Sequence, residues 1–273
     1  MDERFSYLPD IKQINQRASL TSEGGKYQEL VEKWMERVVL NNRQAVDADP
    51  CASILECIIE QIIQAKNEQI WNKKLKDGAF AVFDLETTGL RPYQKDEIIA
   101  VGATFIDRME TGKINFYQLV NPGRSIPQKA TEITGITEKD VEDKPEIEEV
   151  LKEFMELIEG RILVAHHAAF DLAFINLKLS KLTGGSIIIP TLDTALLARC
   201  LLPEIENFSL ENLCQYFNIP VEERHHALGD AIMTAKLFIS LVPLLEEDQR
   251  FTLSDIAQMY CSINGLPHYP LIF

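Results

Sequence analysis

The 273-residue sequence predicts an α/β fold. Three observations carry that expectation. Short apolar, β-prone runs occur near 79–85, 97–106, 113–120, 162–165 and 187–192, and helical periodicity appears near 146–159, 169–182, 209–217 and 227–242. Acidic residues stand where an apolar run ends or a helix begins, the place where α/β sheets collect ligands.

In chain order, residues 1–77 read as a helical N-terminal extension. Leu30, Val31, Trp34, Met35, Val38 and Val39 recur at helix spacing, as do Ile54, Leu55, Ile58, Ile59, Ile62 and Ile63. Asp49-Pro50 supplies an N-cap followed by proline at the first helical position. Such a hairpin cannot bury both stripes alone, so it packs on the following domain, on a second copy in a homodimer, or on a protein partner. The main domain is expected over 78–245, with Gly112 marking the hairpin between the second and third strands. Residues 246–273 form a C-terminal tail with a short helix near 251–260.

The first strand ends in Phe83-Asp84-Leu85-Glu86-Thr87-Thr88-Gly89. Asp84 and Glu86 are two apart, so on a strand both carboxylates face one side. Divalent cations would offset the repulsion between them. Gly89 then permits a tight turn or a close approach to a ligand. A surface turn with two solvated acids fits the segment equally well. Asp171 falls in the first turn of the helix after 162–165, beside His166 and His167, and an acid there also suits the helix dipole. His225 precedes Asp230 by five residues, just where a long helix begins at Ala227. A loop histidine beside a helix acid can accept a proton from water, or it can simply flank the helix, as His226 is expected to do. Asp193 is expected to cap the helix from Thr194.

With 46% hydrophobic content the chain can bury a full core. The stretch 54–63, taken as the richest in apolar residues, is broken by Glu56, Glu60 and Gln61, which argues against a membrane span, and no secretory signal follows Met1. Five cysteines, without a Cys-x-x-Cys pair, argue against a disulfide scaffold or zinc site and point to a cytoplasmic protein. The net charge of −15 sits poorly with a polyanionic ligand. Binding would then rest on metals, on stacking and on local cations such as Lys73, Lys74, Lys76, Arg91, Lys95, Arg124 and Lys129. A solvated surface is the commoner reason for such an acid excess.

Order and local spelling together resemble the DEDD superfamily of 3′-to-5′ exonucleases, in the DEDDh (DnaQ-like) branch with a histidine base. That branch includes the proofreading epsilon subunit of bacterial DNA polymerase III and RNase T. The 83–89 run matches the first motif in full, and Asp171 and Asp230 fall in the second and third. Asn121-Pro122-Gly123, Ile126-Pro127 and Thr134-Gly135-Ile136-Thr137 match the stretch between. The resemblance covers 78–242.

It implies a ribonuclease H-like, mixed five-stranded sheet flanked by helices. It also implies two Mg²⁺ or Mn²⁺ ions held by Asp84, Glu86, Asp171 and Asp230, with His225 as general base. Thr87, Thr88, Gly89, His167 and Phe174 would bind or shape the pocket for the terminal nucleotide. His167 departs from the family's usual asparagine, which implies altered fine tuning. The implied reaction releases nucleoside 5′-monophosphates from single-stranded 3′ ends, DNA favoured, with an RNA-trimming exoribonuclease as the alternative, since DNA and RNA members share these motifs. A competing class is a scaffold that keeps the nuclease fold. The ending His268-Tyr269-Pro270-Leu271-Ile272-Phe273 resembles the peptide by which bacterial proteins bind the sliding clamp, although such tails more often dock on their own domain.

Overall fold

The computed structural model describes residues 72–183, 187, 190–247 and 252–261. The expected helices at 30–39 and 54–63, and the clamp-like ending, lie outside them.

Five strands form one mixed sheet in the order β3-β2-β1-β4-β5: β1 Ala79–Thr87, β2 Ile98–Asp107, β3 Glu110–Leu119, β4 Ile162–Ala165 and β5 Thr191–Asp193. β1 runs antiparallel to β2 and parallel to β4. The helices are α1 Gln128–Thr134, α2 Glu138–Val141, α3 Ile147–Leu157, α4 Ala168–Thr183, α5 Thr194–Leu201, α6 Leu210–Tyr216, α7 Ala227–Glu247 and α8 Leu253–Cys261. This is the ribonuclease H-like arrangement the sequence implied.

The period of two along β1 sorts its side chains between two cores. Ala81, Phe83 and Leu85 join α3 and α4, where Phe154 packs between Phe83 at 5.6 Å and Phe116 at 6.4 Å. Phe80 and Val82 join α5, α6, α7 and α8 on the other face. Continuing that alternation past Val82 places Asp84 and Glu86 on the face covered by α7.

Several expectations need correction. The β2–β3 hairpin turns at Arg108 and Met109, both with positive φ, and not at Gly112, which lies inside β3. Positive φ at both central residues is the signature of the two-residue hairpin turn, normally built from asparagine and glycine. β5 is only three residues long, because Pro190 cannot donate to a ladder, although its carbonyl accepts from Leu163 N at 3.0 Å. The stretch 54–63 is not the richest apolar segment either. Ala227–Leu245 is long and apolar enough to cross a membrane by length and composition, yet it is packed against β1, β2 and α5 as a core helix.

The core continues beyond residue 245. Leu253, Ile256, Met259 and Tyr260 of α8 fill the second core together with Leu75, and Lys74 bridges to Thr252.

Candidate active site

Asp84, Glu86 and Asp230 meet at the end of β1, each offering a carboxylate oxygen within 4.8 Å of the others. Their spacing is set by backbone contact. Asp84 pairs with Gly102 on β2, and a Cβ at Gly102 would collide with the backbone of Ala227 and Leu228. The start of α7 therefore seats directly on the sheet, one strand from Asp84, and carries Asp230 to it.

Asp171, 2% exposed, is tied in from the other side: its Oδ1 accepts the backbone N–H of Leu85 at 3.2 Å. The start of α4 is fixed by Asp193, which caps α5 as expected through Ala195 N and Leu196 N. Asp193 also accepts from His167 N at 3.2 Å and Ala168 N at 3.0 Å, so one carboxylate joins the N-termini of α4 and α5. Tyr260 donates its hydroxyl proton to Asp193 O at 2.8 Å.

Burial and mutual repulsion dominate the electrostatics. Burial first, then Asp171, Asp230 and Glu86, hold the Asp84 carboxyl well above its usual range. Burial raises Asp171 as well, against the bonds it accepts. Glu86, 7% exposed, is raised to about 7 by burial and by Asp230, with Arg224 pulling the other way. Arg224 makes an ion pair with Asp230 Oδ2, which also accepts His225 N at 3.3 Å. Asp230 Oδ1 is buried and has no partner among the described residues. An all-oxygen donor set in which Asp84, Glu86 and Asp171 have raised proton affinities and Asp230 has an orphaned carboxylate oxygen fits hard divalent cations.

The other expected site residues divide. His225 adjoins Asp230 on the loop before α7, in the left-handed region with φ 59°. Thr87 Oγ1 donates to Gly89 O at 2.7 Å and so shapes the turn. Thr88 is buried and its hydroxyl accepts Glu97 N at 2.9 Å, which makes it a structural element of that turn. His167 has φ 62° and heads α4. Phe174, 1% exposed, sits in the core with its ring 5.1 Å from that of Phe170. His166 is held neutral, its pKa lowered to about 3 by burial and then by His167, and its Nδ1 lies 2.9 Å from Thr194 Oγ1.

Two residues escaped the sequence reading. Arg224, the cation nearest the acids, was signalled only by adjoining His225. Tyr117 on β3 gave no signal, because its partner His226 is distant in sequence.

A sheet of this topology with clustered carboxylates at the end of its first strand defines a nuclease of ribonuclease H-like fold. Residues 81–238 match the family described as Exonuclease (RNase_T), and the chain belongs to that family, with the DEDDh spelling of its motifs. It is 38% identical over 190 residues to the DNA polymerase III PolC-type of Thermotoga maritima, covering 69% of this chain and 14% of that protein. It is also 38% identical over 170 residues to the DNA polymerase III subunit epsilon of Aquifex aeolicus, covering 62% of this chain and 82% of the relative. The chain thus spans only about a seventh of the PolC-type relative's length. Among solved structures, Exonuclease X in complex with 5′ overhanging duplex DNA matches with a TM-score of 0.53 and 26% identity, over 66% of this chain and 99% of the other.

Proposed function

We propose that this chain is a metal-dependent 3′-to-5′ exonuclease that releases nucleoside 5′-monophosphates from single-stranded 3′ ends, DNA in preference to RNA. The observation that carries the reading is the convergence of Asp84, Glu86 and Asp230, with Asp171 alongside and His225 next to Asp230. Similarity to the PolC-type and epsilon chains of DNA polymerase III favours DNA as the polymer.

Asp84, Glu86, Asp171 and Asp230 would hold two Mg²⁺ or Mn²⁺ ions. When bound, such ions neutralise the carboxylates and polarise a phosphoryl group. His225, on its loop beside Asp230, takes the proton of the attacking water, a role worth about 10²–10⁴ in rate. The turn of Thr87 and Gly89 sets the floor on which the terminal nucleotide rests. His167, at the head of α4, provides an imidazole toward it.

End-labelled single-stranded DNA and RNA, incubated with Mn²⁺ or Mg²⁺, test the reading against Asp84→Ala and His225→Ala. Stepwise shortening from the 3′ end that both variants lose supports it, and the faster polymer decides the substrate. Equal or faster loss of RNA transfers the assignment to an RNA-trimming enzyme. No metal-dependent shortening of either leaves a scaffold with a nuclease fold.

A further inference from the structure

Asp84 on β1, Gly102 on β2 and Tyr117 on β3 are consecutive partners across the sheet, Asp84 with Gly102 and Gly102 with Tyr117. Partners in register face the same side. The missing side chain at Gly102 makes a notch, and the backbone of Ala227 and Leu228 sits in it. The start of α7 therefore lies between an acid of the cluster on one flank and a tyrosine on the other.

The residue just before α7 uses that tyrosine. The ring of His226 stacks on Tyr117, with centroids 4.3 Å apart and planes inclined by 26°. Both ends of His226 are committed. Its Nδ1 accepts Gly229 N at 3.4 Å, and its backbone N–H donates to Glu223 O at 3.2 Å. Glu223 in turn packs so closely on Gly229 that a side chain there would collide with it. Burial first, then Glu86 and Asp140, raise the Tyr117 phenol above its ordinary range. His225 directly precedes His226 in the chain; its backbone N–H donates to Asp230 Oδ2 at 3.3 Å and its φ lies in the left-handed region.

We propose that the Tyr117–His226 stack is a positioning clamp that fixes the His225 loop over the carboxylate cluster, so that Tyr117 and His226 are positioning residues for proton transfer. The clamp rests on the reading of His225 as the base. Stacking holds the loop by a plane-to-plane contact made through His226, the neighbour of His225. A misplacement of about 1 Å at a reacting group is enough to cost up to about a hundredfold in rate.

The test compares Tyr117→Phe, Tyr117→Ala, His226→Ala and the Tyr117→Ala/His226→Ala double variant at saturating Mn²⁺ on labelled single-stranded DNA, with Mn²⁺ affinity measured by calorimetry. Tyr117→Phe keeps the ring and is expected within about twofold of wild type. Tyr117→Ala and His226→Ala should each lower kcat about tenfold, with KM and Mn²⁺ affinity within about twofold of wild type. Because the two act through one contact, the double variant should be no slower than the slower single. His226 lies outside the sheet, so its truncation reads the clamp even where Tyr117→Ala fails to fold. Losses that multiply to about a hundredfold, a Tyr117→Phe as poor as Tyr117→Ala, or an unchanged kcat in His226→Ala overturn the clamp. His225→Ala separates the two claims. Wild-type kcat in His225→Ala defeats the base reading and the clamp with it, whereas an inactive His225→Ala beside a fully active His226→Ala defeats the clamp alone.

Discussion

Replacing Glu86 by glutamine should stabilise the metal-free protein while destroying its use of metal. The Glu86 carboxyl goes from its ordinary 4.5 to about 7 through burial and the Asp230 charge. At about 1.4 kcal/mol per tenfold change in proton affinity, ionising it in the folded state costs roughly 3 kcal/mol. Between about pH 4.5 and 7 the folded protein holds a proton at this position that the unfolded chain has released, so wild-type stability falls as pH rises through that window. Glutamine removes the slope. In EDTA, Glu86→Gln should exceed wild type by about 1–3 kcal/mol at pH 8 and by little at pH 4.5, the upper end requiring that the amide find partners for its donors. With Mn²⁺ at about a hundred times its dissociation constant, wild type gains about 2.7 kcal/mol and the order closes or inverts. Urea denaturation at both pH values, with EDTA and with Mn²⁺, reads all of this. A variant no more stable than wild type at pH 8 in EDTA, or one whose advantage is the same at pH 4.5, would refute the electrostatic account of the cluster.

Arg224 already neutralises part of the cluster, so Arg224→Gln should lower the metal-free melting temperature at pH 8 and steepen the rise produced by Mn²⁺, both seen by thermal shift. Asp96→Ala removes the acceptor of Arg91 N at 2.9 Å and the 3.9 Å ion pair to Arg124; by loosening the turn after β1 it should raise KM several-fold, about 3- to 10-fold, with Mn²⁺ affinity by calorimetry unchanged. Phe154→Ala, between two other rings in the first core, should cost about 3–5 kcal/mol in chemical denaturation. Asp193→Ala leaves the N-termini of two helices short of their acceptor and should destabilise by about 1–3 kcal/mol, read the same way.

What could be read from the sequence had a repeating or abrupt pattern behind it. The β1 run ends in two acids one residue apart, and strand geometry alone puts Asp84 and Glu86 on one face. The five residues from His225 to Asp230 bridge the entry to α7, so a helix start fixes that spacing as well. α1 and α2 were missed because they lack an apolar period. They are held instead by Gly135 in a left-handed cap and by the reciprocal Thr137–Asp140 capping box. The hairpin turn was misplaced because Arg108 and Met109 adopt positive φ without the residues that advertise it. That Thr88 bonds within the turn and that Phe174 is buried in the core is decided by packing, which the local pattern does not contain. Tyr117 and Arg224 depend on which residues meet across distant elements, information that no local pattern contains.

The bridge between Lys74 and Thr252 joins two segments that both lie outside the 81–238 stretch shared with the exonuclease family. Leu75 from one and Leu253, Ile256, Met259 and Tyr260 from the other fill a single core, and Tyr260 reaches Asp193 and through it the head of α4. The family-model match and the packed core therefore have different borders in this protein. A nuclease cut to residues 81–238 would leave apolar surface bare on the face under α7 and loosen the hold on Asp171. Among the described residues, the packed core draws on positions from Lys74 and Leu75 through Tyr260.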